Sequence, residues 1–455
     1  MNIIKILCIL FVLLLFIISI KKPRWSIIAF WVGIFLIPYP IENSRLFGLN
    51  NIYWQALAIS FSGIFNKTIL QCIGNVFLQN RKILNIFFVF NIVFIFLSST
   101  VPPFFQFKYA LIDGLSLFII LLTYQFSKVD KKFPIILTKG VTIAILINII
   151  FCLYFELLLG FNPTGTPLYI LMGAEDNMTV VDMIESARGS LNLRLQSITG
   201  HPLSLGQYFL LLLPLYMLLT NRNSKFSTIT AISITIIIFL TGTRGAIIPS
   251  LLVWCYFIFI NKLHIVFKRI ILIVILVIAF FQFIPPQHER KINNIINTYA
   301  ASLAFWDDNL QSKTSIGGSN MAMRLEQFKA AQNETKDNPF WGKGLGYREY
   351  YQIKHQDVHP VLLGYESFVL LKLVEQGWIG LLFYLIIFWI LYLQFRKRVK
   401  LKSYITITFI TLLISELMTG IRPYSFLILG MVCTLINFYE SSNYQQYDNK
   451  SLKIH

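Results

Sequence analysis

Long apolar runs separated by short polar loops dominate this chain. The runs have the length at which an α-helix crosses a bilayer, roughly 17 to 25 residues. They predict thirteen spans, or twelve if the weakest one is lost. The predicted spans are 3–20, 24–38, 51–65, 83–99, 105–126, 134–159, 203–220, 226–242, 244–261, 267–284, 366–395, 404–419 and 424–439. The pattern indicates an all-α polytopic membrane protein.

Composition supports this fold class. The chain is 56% hydrophobic and only 13% charged, whereas soluble domains carry about 25% charged residues. The five cysteines lie in or beside apolar runs, so no disulfide framework and no metal-ligand spacing is predicted. Most of the protein's surface is therefore expected to contact lipid.

The net charge of +18 does not indicate nucleic-acid binding, because the basic residues alternate between loops. Such alternation is the positive-inside signature, which orients the spans and attracts anionic lipid. It predicts that the N-terminus lies outside and that the tail, residues 440–455, lies in the cytoplasm. The basic loops contain Lys21, Lys22 and Arg24; Lys67, Arg81 and Lys82; Lys128, Lys131 and Lys132; Arg222 and Lys225; Lys262, Lys268 and Arg269; and Arg396, Lys397 and Arg398.

Two polar segments on the predicted outer side are too long to be simple turns. They are residues 160–202 and 285–365, and loops this long usually carry function or are disordered. We therefore divide the chain into N-terminal helices with the first outer loop (1–202), central helices (203–284), a large periplasmic loop (285–365), C-terminal helices (366–439) and the cytoplasmic tail. No internal repeat and no duplicated pair of broken helices is evident.

Residues 323–384 are the strongest candidate for a functional site. An amphipathic segment with Arg324 predicts a helix running to about Glu334. Residues 338–346 contain one proline and three glycines, which exclude a continuous helix. A long apolar helix then begins with Glu366, and an ionisable residue near hydrocarbon is a functional-site hypothesis by default.

Three arginines are candidates for binding an anion. Arg324 near a helix N-terminus suits a phosphate, although an ion pair with Glu326 would also account for it. Arg244 lies between two apolar runs in Thr241-Gly242-Thr243-Arg244-Gly245, where it either binds an anion or snorkels to the surface. Arg194 lies on the same predicted outer side, shortly before a span.

Glu366 is the candidate general base, because its carboxylate opens a span instead of lying in a turn. The alternative is a solvated charge that favours the helix dipole. Secondary candidates are His201, Glu375 and Arg422. A capping or packing role would also explain His201, and pairing with Lys372 or Arg422 would explain Glu375.

These residues resemble the O-antigen ligase and polymerase family of bacterial inner-membrane proteins. The resemblance rests on Arg324, on Asn338-Pro339-Phe340-Trp341-Gly342-Lys343-Gly344-Leu345-Gly346, on Glu366, and on Glu375-Gln376-Gly377-Trp378-Ile379-Gly380. Thr241 to Gly245 resembles the Ser-Arg-Gly element of the same family. The similarity extends over roughly residues 194–393.

The resemblance implies a GT-C-like glycosyltransferase that acts at the periplasmic face without a metal or a sugar nucleotide. Arg194, Arg244 and Arg324 would hold an undecaprenyl diphosphate leaving group, and Glu366 would take a proton from the attacking sugar hydroxyl. The implied partners are undecaprenyl-diphosphate-linked oligosaccharides, membrane lipid, a chain-length regulator and a flippase.

Three functions remain open. The ligases have a histidine where this chain has Glu366, which favours a polymerase of O-antigen, capsule or exopolysaccharide repeat units. A ligase that transfers finished glycan to a lipid or protein is the second possibility. The third is a transporter or flippase that uses the arginines only for binding. Transporters commonly show inverted repeats and broken helices, and neither feature is evident in this sequence.

Overall fold

The computed structural model describes most of the membrane-embedded chain. The described residues are 3–38, 41, 45–46, 49–98, 100–159, 162–164, 195–220, 225–260, 271, 275, 321–356, 367–396, 403–420 and 424–441. Arg194, Glu366 and Arg422 lie outside them, and so does the side chain of Arg324.

Fifteen α-helices and one small hairpin make up these described segments. The helices are α1 (Ile3–Lys21), α2 (Pro23–Leu36), α3 (Asn51–Phe61), α4 (Lys67–Gln79), α5 (Arg81–Leu97), α6 (Pro103–Val129), α7 (Phe133–Phe151), α8 (Pro202–Thr220), α9 (Lys225–Thr241), α10 (Arg244–Ile260), α11 (Met321–Thr335), α12 (Tyr347–His355), α13 (Phe368–Arg396), α14 (Tyr404–Met418) and α15 (Ser425–Glu440). Strands β1 (Arg45–Leu46) and β2 (Leu49–Asn50) pair antiparallel between α2 and α3. The chain is an all-α polytopic membrane protein, as its sequence predicts.

Ten of the thirteen predicted spans coincide with α-helices to within three residues at each end. Two more, 51–65 and 134–159, do so once the 3₁₀ turn Ser62–Ile64 and the π-helical turns Cys152–Leu158 are included. The thirteenth, 267–284, falls almost wholly outside the described residues. Within the described part, four helices are long and apolar enough to cross a membrane: α6, α7 with its π-helical extension Cys152–Leu158, α8 and α13. The bent pair α3–α4 would make a fifth, and five further apolar helices are shorter.

Helix α8 occupies the centre of the bundle. It is apolar on all sides and almost every residue is buried, as expected of a helix enclosed by others. Its polar Gln207 is satisfied inside the bundle: Nε2 donates to Ser415 Oγ at 3.0 Å, and Oε1 accepts from the Ser425 hydroxyl. Helix α8 is thereby joined to both α14 and α15.

The sequence predicts a basic loop over residues 66–82, and this prediction is wrong. The structure places α4 there, after a break at which the chain turns by 106° from α3. Asn66 caps α4, because its Oδ1 accepts from the backbone N–H groups of Thr68 and Ile69 at 3.0 and 3.2 Å. Basic residues at both ends concealed an amphipathic helix whose apolar residues recur with helical spacing.

Candidate active site

Helix α13 is broken at Gly377, where φ is 65° and ψ is −166°. We call residues 368–376 the outer half-helix and residues 378–396 the inner half-helix. The apolar run 366–395 predicts one continuous span with no break, and this prediction is wrong at Gly377. Glycine readily adopts positive φ, and this is the reason that position 377 can interrupt the helix.

Residues 338–344 satisfy the backbone groups that the break releases. The N–H groups of Lys343 and Gly344 donate to the carbonyls of Val374 and Glu375 at 2.9 and 2.8 Å. In the opposite direction, Trp378 N–H donates to Pro339 O at 3.0 Å, and Ile379 N–H donates to Phe340 O at 3.2 Å. Buried backbone groups need such partners. The Pro-Phe-x-Gly-x-Gly and Glu-x-Gly elements are therefore two sides of one structural unit.

An ionic cluster lies on the outer half-helix and its neighbours. Lys372 Nζ is 3.4 Å from Glu375 Oε2, and both residues are only 8% exposed. The Lys372 ammonium also lies 4.6 Å from the ring centroid of Tyr384, whose hydroxyl donates to Asp113 Oδ2 at 2.6 Å. Glu375 therefore has the lysine partner that the alternative interpretation gives it. Asp113, on α6, is not among the site residues predicted from the sequence, because nothing in the sequence connects it with Tyr384.

Helix α11, which carries Arg324, packs against α13. Ala331 is fully buried and packs in one cluster with Val374 and Tyr347, and Gln327 is 6% exposed. Position 324 precedes these two residues of α11 by seven and three positions, so it lies on the same side of the helix. The helix ends at Thr335, as predicted.

A hydrogen bond joins α11 to α12. The Tyr347 hydroxyl donates to Glu334 Oε2 at 3.3 Å. Burial, together with the nearby Glu334 carboxylate, raises the pKa of the Tyr347 phenol, so the phenol remains a neutral donor.

The turn that precedes Arg244 is wedged between α8 and α14. Thr243 Oγ1 donates to Pro202 O at 3.2 Å. On the other side, a Cβ on Gly245 would lie 2.5 Å from Thr419 Cγ2, so a larger residue would fit only if Thr419 moved. Arg244, which is partly exposed, therefore begins α10 beside the start of α8 and the end of α14. Arg422 follows Thr419 by three residues along the chain.

His201 caps α8, as one alternative interpretation predicts. Its Nδ1 accepts from the Leu203 backbone N–H at 3.1 Å. Pro202 follows His201, and Thr243 precedes Arg244. Because Thr243 contacts Pro202, the structure brings the segments of His201 and Arg244 together. Glu375 belongs instead to the cluster on α13.

Glu156 holds the segment that leads from Arg194 to His201. Its carboxylate accepts from the backbone N–H groups of Gln196 and Ser197, each at 3.0 Å, and from Asn162 Nδ2 at 2.6 Å. Ser197 adopts a φ of 53°, which is uncommon for a residue other than glycine. π-Helical turns and such backbone strain both concentrate at functional sites.

Sequence reasoning misses Glu156 because it lies within the predicted span 134–159. A carboxylate near the end of an otherwise apolar run is the signal that could have identified it. The Ser197 hydroxyl also donates to Asn148 Oδ1 at 2.7 Å, and Leu195 N–H donates to Leu240 O at 3.2 Å. The segment is thus tied to both α7 and α9.

Comparison with known families identifies the central part of the chain. Residues 229–385 match the family model described as O-antigen ligase (Wzy_C). This stretch is similar to O-antigen ligases, and for that similarity we call it the O-antigen ligase domain. It includes the Arg244 turn, α11, the glycine-rich segment 338–346, the break at Gly377 and Tyr384. The resemblance to the O-antigen ligase and polymerase family is thereby confirmed.

The match supports a role of the O-antigen ligase and polymerase type in polysaccharide biosynthesis, and this family is glycosyltransferase-like. No curated protein matches the sequence. The domain contains two of the three predicted anion-binding arginines, Arg244 and Arg324, and also Glu366. Arg194 and His201 precede it, whereas Arg422 follows it.

Proposed function

We propose that the chain is a polymerase that joins oligosaccharide repeat units carried on undecaprenyl diphosphate. The reaction would take place at the periplasmic face of the bacterial inner membrane. A flippase would supply the units, and a chain-length regulator would act on the product. The observation that carries this proposal is that the Arg244 turn, which lies within the matched residues 229–385, meets the His201 segment and the end of α14 at one place.

In the proposed reaction, a hydroxyl of one repeat unit attacks the anomeric carbon of another. The bond from that carbon to the phosphate oxygen breaks, and undecaprenyl diphosphate leaves with the bonding electrons. Glu366 accepts the hydroxyl proton, and such general-base catalysis typically contributes 10²–10⁴-fold in rate. Arg194, Arg244 and Arg324 would neutralise the diphosphate through charge-assisted hydrogen bonds.

The alternatives differ in their products. A ligase would need a lipid or protein acceptor, and a transporter would leave the glycan unchanged. The break at Gly377 is the one observation that favours a transporter, since broken helices form transporter binding sites. However, four of the backbone groups at the break are bound by residues 339–344, so these groups are not free for a substrate. The break therefore fits a structural role better.

The test is an assay with purified protein and the undecaprenyl-diphosphate-linked repeat unit as its only substrate. A polymerase produces a ladder of longer lipid-linked glycans, whereas a ligase without acceptor or a transporter produces none. Arg244→Ala should abolish the ladder, and Arg244→Lys should restore little activity, because lysine lacks the planar fork. Arg348→Ala, at an exposed arginine of α12, is the matched control. Absence of the ladder with folded wild-type protein would refute the polymerase proposal.

A further inference from the structure

Helix α4 is attached along one end of the bundle. Asn66 Nδ2 donates to Ile20 O near the end of α1 at 2.8 Å, and Ser19 and Ser62 share a hydrogen bond of 2.7 Å. At its other end, Gln79 Oε1 accepts from Gln125 Nε2 near the end of α6 at 3.1 Å. Helix α4 therefore runs from the end of α1 towards the end of α6, across the end of the bundle.

Its side chains divide into two distinct surfaces. Ile69, Cys72 and Val76 face the protein and are fully buried. Leu70 and Phe77, which lie seven residues apart on one side of the helix, are 55% and 52% exposed. A helix of 13 residues is too short to cross a bilayer. With one face on the protein and another apolar and uncovered, it has the features of a helix in the membrane interface.

Positive charge exceeds negative charge around this helix, because the nearby carboxylate of Asp130 is already paired with Arg24 at 2.5 Å. Lys67, Arg81 and Lys82 are exposed, and no acidic residue occurs in the sequence between Glu42 and Asp113. None of the three forms an ion pair with a described residue. The end of α6 adds Lys128, which reaches Gln79 Oε1 at 3.5 Å. We call Lys67, Arg81, Lys82 and Lys128 the basic rim.

We propose that α4 is an interfacial helix whose basic rim binds anionic phospholipid headgroups of the adjacent leaflet. Leu70 and Phe77 would contact the acyl chains of the same lipids. The apolar side chains require a lipid and the uncompensated charge selects an anionic one, which together favour a phospholipid over a free phosphate. The inference does not depend on the proposed glycosyl transfer.

The test uses the full chain in nanodiscs of phosphatidylcholine and phosphatidylglycerol, with the retained lipids counted by native mass spectrometry. Wild type should retain phosphatidylglycerol preferentially. Lys67→Gln/Arg81→Gln/Lys82→Gln should lose this preference by about fivefold for each charge removed, because each basic residue near a membrane contributes about 1 kcal/mol. Lys329→Gln/Lys336→Gln/Lys354→Gln removes the same charge from exposed positions of 329–354 and should leave it unchanged.

Two further arms separate the possible outcomes. Excess inorganic phosphate should not displace the phosphatidylglycerol, and displacement would show that free phosphate is the ligand. A nitroxide at position 77 should report a shallow lipid environment, compared with a deep one at Ile92 on α5, which is 54% exposed. Equal lipid retention in both triple variants, or a water-exposed nitroxide at position 77, would overturn the proposal.

Discussion

Gly342 lies so close to the peptide bond before Gly377 that a Cβ on Gly342 would be 2.7 Å from the Gly377 nitrogen. The contact is reciprocal, because a Cβ on Gly377 would lie 2.4 Å from the carbonyl carbon of Phe340. Both glycines have positive φ, 69° and 65°. The segments that contain Gly342 and Gly377 are 35 residues apart in sequence, and their backbones are in direct contact in the fold.

We expect Gly377→Ala and Gly342→Ala each to destabilise the protein by more than the 1–2 kcal/mol that left-handed backbone alone costs, because the backbone of the opposite segment blocks the added methyl. Thermal unfolding in detergent measures the effect. Gly114→Ala on α6 is the control, since its Cβ would make only an ordinary contact, 3.5 Å from Phe87. A Gly377→Ala protein as stable as this control would contradict the contact.

The buried ion pair on α13 gives a second prediction. Lys372→Met should destabilise the protein by about 3–5 kcal/mol, because it leaves the buried Glu375 carboxylate without its cation. Lys372→Met/Glu375→Gln should recover most of the loss, because it removes both charges. Chemical unfolding of the four combinations gives the coupling energy. If the double variant is no more stable than Lys372→Met, the pair does not explain the burial of Glu375.

A more exposed ion pair serves as the comparison for this cycle. Lys108 and Glu349 are 3.1 Å apart, with about a quarter of each side chain exposed. Exposed pairs typically contribute about 1 kcal/mol or less. Lys108→Met should therefore cost much less than Lys372→Met.

The third prediction concerns Glu156. Glu156→Ala should release the Gln196 and Ser197 N–H groups and loosen the segment that carries His201. Hydrogen bonds to a charged group contribute about 1.5–3 kcal/mol, so we expect at least about a tenfold loss of glycan synthesis, mainly through a higher KM for the lipid-linked substrate. Glu156→Gln keeps one acceptor oxygen and should be intermediate.

Tyr154→Phe, on the same π-helical turn and half exposed, is the control for Glu156. A general structural defect would lower the amount of folded protein, whereas the proposed effect leaves that amount nearly constant and changes KM. Wild-type KM in Glu156→Ala would mean that its hydrogen bonds do not position the segment.

Periodicity and length predict most of the helices, because an apolar run longer than 16 residues has few other solutions in a membrane. They fail at α4, where Gln71, Gly74 and Asn75 interrupt the apolar positions and basic residues mark both ends. They also fail at Gly377, because glycine is tolerated in membrane helices and its break becomes visible only with its partner segment. The pairing of Tyr384 with Asp113 joins positions 271 residues apart, and a single sequence carries no signal for it.

The fourth prediction tests Glu366 as the base. Glu366→Gln retains the size and much of the hydrogen bonding of glutamate but loses its basicity, so turnover should fall by about 10²–10⁴. Single lipid-linked repeat units should accumulate. Glu366→His should retain some turnover, since histidine is the residue of the family's ligases at this position. Wild-type chain lengths from Glu366→Gln would direct the search for the base to His201, His355 or His359.

The fifth prediction concerns orientation. A cysteine at Gln352, exposed on α12, should react with a membrane-impermeant maleimide in cells whose outer membrane has been permeabilised. One at Gln71, exposed on α4, should not. Both variants would carry Cys255→Ser, because the native thiol is exposed. Reversed labelling would place the O-antigen ligase domain's loop in the cytoplasm and exclude a periplasmic reaction.

The break in α13 also affects how deep the charged residues of this helix lie relative to the bilayer. The inner half-helix, residues 378–396, is about 28 Å long at 1.5 Å per residue, which nearly equals the hydrocarbon thickness of a bilayer, about 30 Å. If it crosses the membrane alone, the outer half-helix rises above the hydrocarbon, and Lys372 and Glu375 lie one to two turns beyond that boundary. A polyprenyl lipid anchored by its tail presents its diphosphate at the same level. Gly377, which precedes the inner half-helix, would then set the height of Lys372 and Glu375 above the hydrocarbon at the level of the substrate's diphosphate.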